Sequence, residues 1–290
     1  MPPTVRAKLL LGWMSQHEAL EALKSCHFDE HLSDKKAIAL WKHYRNKVAA
    51  LEPRNVVAAP ELVLTEAEQA ATKEHIRRIH AGPNAQFAPR VIKISPRDLL
   101  AKQFHVLTDR SEQYAEEMKS EGTRISHCLG DGLQFKGQLV FSQITPRRIH
   151  VDLPHPEYTV IPTLVNGQPH FEIKERDRYI MAIQAPNGRM VLWGGYHRTH
   201  ALLCHMAGEA EAVAPLLTVM TGIPEVINFF ARPSFVREAI LCDRPALFRD
   251  FLDEELFMVV NLRKRRARAR IEQKGAGKFR WYIDLVNDDS

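Results

Sequence analysis

Long apolar runs are missing from this chain: no stretch approaches the roughly 18 uninterrupted apolar residues that a membrane-spanning helix needs. The N-terminus, MPPTVRAKLLLGWMSQHE, lacks the cleavage pattern of a signal peptide, so a cytoplasmic protein with no membrane partner is expected. Cysteine is scarce. The four present, Cys26, Cys128, Cys204 and Cys242, form no CxxC pair, which argues against a disulfide framework or a zinc finger. Internal repeats and low-complexity segments are also lacking.

What is there is enough apolar material for a real core. The 290 residues are 45% hydrophobic, sufficient for one elaborated domain or two small ones. The net charge of +5 favours an anionic partner only where the charge is clustered, because diffuse basicity mainly affects solubility.

The pattern predicts an α+β protein in three regions. Residues 1–85 read as helical: Ser15 caps HEALEALKS, Ser33 caps DKKAIALWKHYRNKVAAL, and Thr65 with Glu68 forms a capping box opening TEAEQAATKEHIRRIHA. Residues 86–222 read as a mixed α/β core. VIKIS is a strand, Ser95-Pro96 a helix start and DRSEQYAEEMKS a helix. QLVFSQI and RIHVDL then lead to hairpins turning at Asn166-Gly167 and near Asn187-Gly188, since Asn-Gly suits the positive φ of a type I′ turn. A helix over YHRTHALLCHMAG and a strand over AVAPLLTVM follow, an order that suggests a βαβ unit. Residues 223–290 read as helices over PEVINFFA, SFVREAILC and RPALFRDFLDEEL, then LRKRRARARIEQ-KGAG-KFRWYIDL, which could be a helix but reads better as a basic hairpin because Arg266, Arg268 and Arg270 alternate with Ala267, Ala269 and Ile271.

The residues that carry chemistry crowd into GGYHRTH, 194–200, between the apolar run MVLW and a helix. A helix start presents unpaired N–H groups and partial positive charge, and glycines before it admit an anion close to the backbone. Gly194 and Gly195 fit that need, Arg198 adds a bidentate guanidinium, and His197 adds a hydrogen bond or a proton shuttle. An ordinary tight turn followed by a solvated arginine accounts for the same letters.

The stretch RMVLWGGYHRTHALLCHMAGEAEAVAPLLTVM resembles the core of the ParB/sulfiredoxin superfamily, and VIKISPRDLL resembles the strand that opens such domains. The resemblance implies a mixed sheet whose turn and helix start bind nucleotide phosphates, placing that role on Gly195, His197 and Arg198. Tyr196 stands where sulfiredoxins carry a cysteine, so their reductase chemistry is not implied. The usual ParB helix-turn-helix is not recognisable, and a long insertion separates VIKIS from the motif.

Other constellations are weaker. His197, His200 and Cys204 share a helical stripe, but ligands on successive turns span about 10 Å, too far for one ion, so His200 and Cys204 are expected to pack inward. SHCLGDGLQFKG reads as a loop in which Asp131 either reaches a metal or ribose or merely makes a turn. Glu172, Glu175 and Asp177 are candidates for a general base or magnesium ligand, or else the wet face of a strand. Arg263, Lys264, Arg265, Arg266, Arg268 and Arg270 face a strand carrying Phe279, Trp281 and Tyr282. Such a hairpin presents an arginine ladder with aromatics for bases to stack on, unless the arginines pair with the acidic segment 253–255.

The leading expectation is a protein that binds a nucleoside triphosphate (ATP or CTP) or another phosphorylated molecule with magnesium, through Gly194, Gly195, His197 and Arg198. Hydrolysis or phosphoryl transfer by His197, Glu172 and Asp131 is the catalytic option. The alternative is a non-catalytic regulator that binds DNA or RNA through Arg263, Lys264, Arg265, Arg266, Arg268, Arg270 and Trp281.

Overall fold

A computed structural model describes residues 4–27, 32–54, 61–81, 89–130, 140–145, 148–153, 158–165, 168–175, 179–185, 188–205, 214–219, 242–263, 265–275 and 278–287. The chain is an α+β protein divided into two compact units, one of residues 5–133 and 178–262, the other of residues 1–4, 134–177 and 263–290. The second unit is thus built from an internal segment and the C-terminal tract, and the helices expected before residue 85 lie in the same unit as the sheet expected after it.

The larger unit holds two sheets. One runs β3 (Arg90–Lys93), β12 (Leu216–Val219), β10 (Met181–Gln184), β11 (Met190–Gly194), β4 (Leu100–Ala101) in spatial order. All four residues of β12 and the first three of β11 are buried, the continuous apolar pattern of strands covered on both faces. The other runs β2 (Cys26–His27), β13 (Met258–Arg263), β1 (Thr4–Leu9), β5 (His105–Leu107). The N-terminal region is therefore not wholly helical. β1 alternates polar Thr4, Arg6 and Lys8 with apolar Val5, Ala7 and Leu9, a strand pattern, while β2 has only two residues; their partners lie about 100 and 230 residues away.

Among the described residues there are six α-helices: α1 (Gln16–Lys24), α2 (Asp34–Ala50), α3 (Glu66–Ala81), α4 (Thr108–Glu117), α5 (Glu121–Leu129) and α6 (Tyr196–His205). Local chemistry sets their starts. Ser15 and Glu18 cap each other's backbone, Ser33 accepts from the Lys36 N–H, and Thr65 and Glu68 repeat the capping box. α5 replaces the loop expected around His127 and Cys128: Ser120 and Thr123 cap it, and Gly130, at φ 74°, ends it.

Two further expectations are corrected. β12 runs parallel to β10 while β11 runs antiparallel to it, so β11, α6 and β12 do not form a βαβ unit. Residues 248–252 form a short 3₁₀ turn leading into β13, not a helix through 255, because Met258–Arg263 finds sheet partners in β2 and β1. The helices expected over PEVINFFA and SFVREAILC lie outside the described residues.

The smaller unit contains a four-stranded antiparallel sheet in the order β15 (Lys278–Asn287), β14 (Arg265–Gly275), β7 (Arg148–Leu153), β6 (Val140–Thr145). It also contains the expected hairpin of β8 (Tyr158–Val165) and β9 (Gln168–Glu175), with Val165 opposite Gln168.

Candidate functional site

The GGYHRTH segment sits where β11 ends and α6 begins. Gly195 has φ 85°, and a Cβ there would lie 2.9 Å from Ile180 Cγ1 and 3.0 Å from Ile180 Cα. Both backbone conformation and space therefore demand glycine. At Gly194 a Cβ would meet only Met181 Cβ, at an ordinary 3.9 Å. Thr199 fastens the first turn of α6 by donating its N–H and hydroxyl to the Gly195 carbonyl, at 2.9 and 3.1 Å.

Tyr196 is a knot between α6 and the strands. Its buried hydroxyl accepts from the N–H groups of Lys102 and Gln103, at 2.6 and 2.8 Å, and donates to the Leu192 carbonyl at 2.7 Å. Burial pushes its phenol well above the ordinary tyrosine range, so it stays protonated. The residue that occupies a cysteine's place in the family resemblance is here a structural hydrogen-bond hub.

Arg198 is buried, 5% exposed. Its Nη1 donates to the His127 carbonyl at 2.6 Å, in the last turn of α5, where a cation also complements the helix's negative end. Its guanidinium carbon lies 5.9 Å from the centre of the Tyr114 ring of α4. The arginine that the motif assigned to phosphate thus ties α6 to α5 and α4. His197, its neighbour, is half-buried.

A second cation approaches the same turn from the end of β4. Lys102 Nζ lies 3.4 Å from the centroid of the Trp193 ring, and burial lowers the lysine's pKa. Its backbone N–H is the one held by Tyr196, so lysine, tryptophan and helix start belong to one local structure. No sequence pattern points to Lys102, because about ninety residues separate it from the motif; only the parallel pairing of β4 with β11, Leu192 opposite Ala101, brings them together.

The remaining candidates disperse. His200 is buried, with its Nε2 3.1 Å from Cys204 Sγ and its ring edge-on to Phe251 at 6.0 Å, so both residues pack inward. Asp131 lies outside the described residues; Glu172 stands in β9 opposite Ile161, in the other unit. Among the described residues no group of three His, Cys, Asp or Glu could hold a metal ion, and no helix is long and apolar enough to cross a membrane.

Register divides the basic tract. Residues paired across antiparallel strands share a face, and alternate residues take opposite faces. Arg266, Arg268 and Arg270 share a face with Tyr282, opposite Arg270, whereas Trp281 pairs with Ile271 on the other face, as Asn287 does with Arg265. By register, Trp281 stands on the opposite face of the sheet from Arg266, Arg268 and Arg270. Arg268 sits between Asp152 and Asp284, and Glu272 between Arg148 and Arg280, so the ladder alternates with acids in its own sheet. Arg263 ends β13, and Lys264 lies outside the described residues. Glu255, of the acidic segment offered as the ladder's partner, pairs with Lys47 at 2.5 Å.

No protein-family model, curated protein or solved structure matches the chain.

Proposed function

We propose that the turn between β11 and α6 binds the phosphate of a nucleotide or another phosphorylated small molecule, as the resemblance to the ParB/sulfiredoxin superfamily implies. The observation that carries this reading is the position of Lys102, with its ammonium over Trp193 one residue before Gly194, beside a helix start that follows two glycines. The α6 backbone N–H groups supply partial positive charge, Lys102 the full charge, and His197 a hydrogen-bond donor. Arg198 acts from behind, holding α6 against α5 so that the turn keeps its shape. α6 has no acidic residue in its first turn, so magnesium would arrive on the ligand's phosphates.

Calorimetric titration with ATP, CTP, GTP and their diphosphates, with and without magnesium, tests the reading, and Lys102→Ala should weaken whichever ligand binds by about tenfold or more, the worth of one charge-assisted hydrogen bond. Unchanged affinity in that variant counts against it.

One observation favours a second reading, nucleic-acid binding: Arg148, Arg266, Arg268, Arg270 and Arg280 share one sheet face, with Asp152, Asp284 and Glu272 as the acids among them. The excess of arginine on that face is the electrostatic footprint such binding requires.

A further inference from the structure

On the larger unit, away from the β11–α6 turn, α3, α5, α6, β3 and β12 enclose a cavity of about 300 Å³, the small end of the range for ligand sites. Among the described residues, four charged side chains line it. Two neutralise each other: Lys93 Nζ lies 2.9 and 3.1 Å from the Glu68 carboxylate oxygens, both residues are buried, and Glu68 also accepts the Thr65 N–H at 2.8 Å. The other two do not. Arg124 is half-buried and makes no ion pair or side-chain hydrogen bond among the described residues. Glu121, exposed at the edge, accepts, among the described residues, only the Thr65 hydroxyl, at 3.1 Å.

Glu121 and Arg124 are three residues apart on α5, which places them on one helix face with Cβ atoms about 5–6 Å apart. They nevertheless make no ion pair with each other. The cavity wall thus offers one guanidinium and one carboxylate, side by side and uncompensated by charge among the described residues. Ile125, beside Arg124 on α5, and Leu202, Ala214 and Leu216 line the cavity as well and make part of its wall aliphatic. Cys128 also lines the cavity, but burial pushes its thiol up to about 11, so it stays protonated and brings no nucleophile.

We propose that this cavity binds a small zwitterion, a free α-amino acid with an aliphatic side chain. The α-carboxylate takes the Arg124 guanidinium, the α-ammonium takes Glu121, and the side chain packs on Ile125, Leu202 and Leu216. Charge balance favours a zwitterion over a simple anion: among the described residues the four lining charges sum to zero, and a ligand of zero net charge leaves them so.

Titration calorimetry of the full chain with leucine, 4-methylpentanoate, 3-methylbutylamine and inorganic phosphate separates the contributions. Leucine binds saturably, and each half-molecule, lacking one charged group, binds at least about tenfold more weakly. Arg124→Gln weakens leucine by about tenfold or more, Glu121→Gln weakens leucine but not 4-methylpentanoate, and Lys102→Ala leaves leucine binding unchanged. The proposal is overturned if no aliphatic amino acid binds, if Arg124→Gln binds leucine as the parent chain does, if 4-methylpentanoate binds as tightly as leucine, or if phosphate binds Lys102→Ala, whose turn is disabled, as tightly as leucine does. The analogue series on the parent chain decides the matter even where a variant fails to fold.

Discussion

At position 195 a methyl group has no room: it would stand 2.9 Å from Ile180 Cγ1 on a backbone already at φ 85°. Gly195→Ala should cost about 1–3 kcal/mol in stability, read as a lower urea midpoint at unchanged slope, whereas Gly194→Ala should stay close to the parent chain. Tyr196→Phe leaves the Lys102 and Gln103 N–H groups without their acceptor and should cost about 2 kcal/mol or more by the same measurement. His75 supplies a pH dependence. It is buried against Thr218, with Nε2 2.9 Å from the hydroxyl, and burial, reinforced by Arg78, lowers its pKa to about 4. Its folded pKa is below the unfolded value, so the unfolded chain binds more protons, and stability is present above the ordinary histidine range and lost as pH falls towards 4. Proton NMR should show this imidazole neutral at pH 5.5; a midpoint near 6.5 would contradict its burial.

At the scale of elements, α6 is fixed at three points: Tyr196 to the chain leaving β4, Arg198 to α5, and His200 to the 3₁₀ turn at Phe251. Arg198→Ala should therefore act first on stability, lowering the melting temperature, and weaken ligand binding only through the loosened turn. What could be read in the sequence follows the range of the forces involved. The Ser15 cap, the Thr65 capping box, the Asn-Gly hairpin and the glycine turn before α6 are local, and each stands where its letters put it. β2 and β13 depend on pairing between distant segments and carry no alternation to read, whereas TVRAKL of β1 does alternate and is legible as a strand. α5 is illegible because Gly122 in its first turn and Gly130 at its end look like loop residues, while its caps, Ser120 and Thr123, form no familiar Ser/Thr–Glu pair. In the site, the turn itself is legible and its two most consequential contacts are not, because Arg198 to His127 and Lys102 to Trp193 each span tens of residues.

At the scale of the whole molecule, the charge of +5 resolves into distinct environments. One is the sheet face of the smaller unit, where arginines alternate with Asp152, Asp284 and Glu272; the other is Lys102 at the turn of the larger one. If the arginine face binds nucleic acid, replacing Arg266, Arg268 and Arg270 with alanine should reduce the slope of log affinity against log salt by about 3, one for each phosphate left without its arginine. An unchanged slope would remove the sheet from consideration. For the turn, calorimetric titration of the parent chain and Lys102→Ala with ATP and CTP in magnesium should give saturable binding to the parent and at least about tenfold weaker binding to the variant at equal melting temperature. Heats of dilution alone from both nucleotides, or equal affinity in the two proteins, would contradict a phosphate site at this turn.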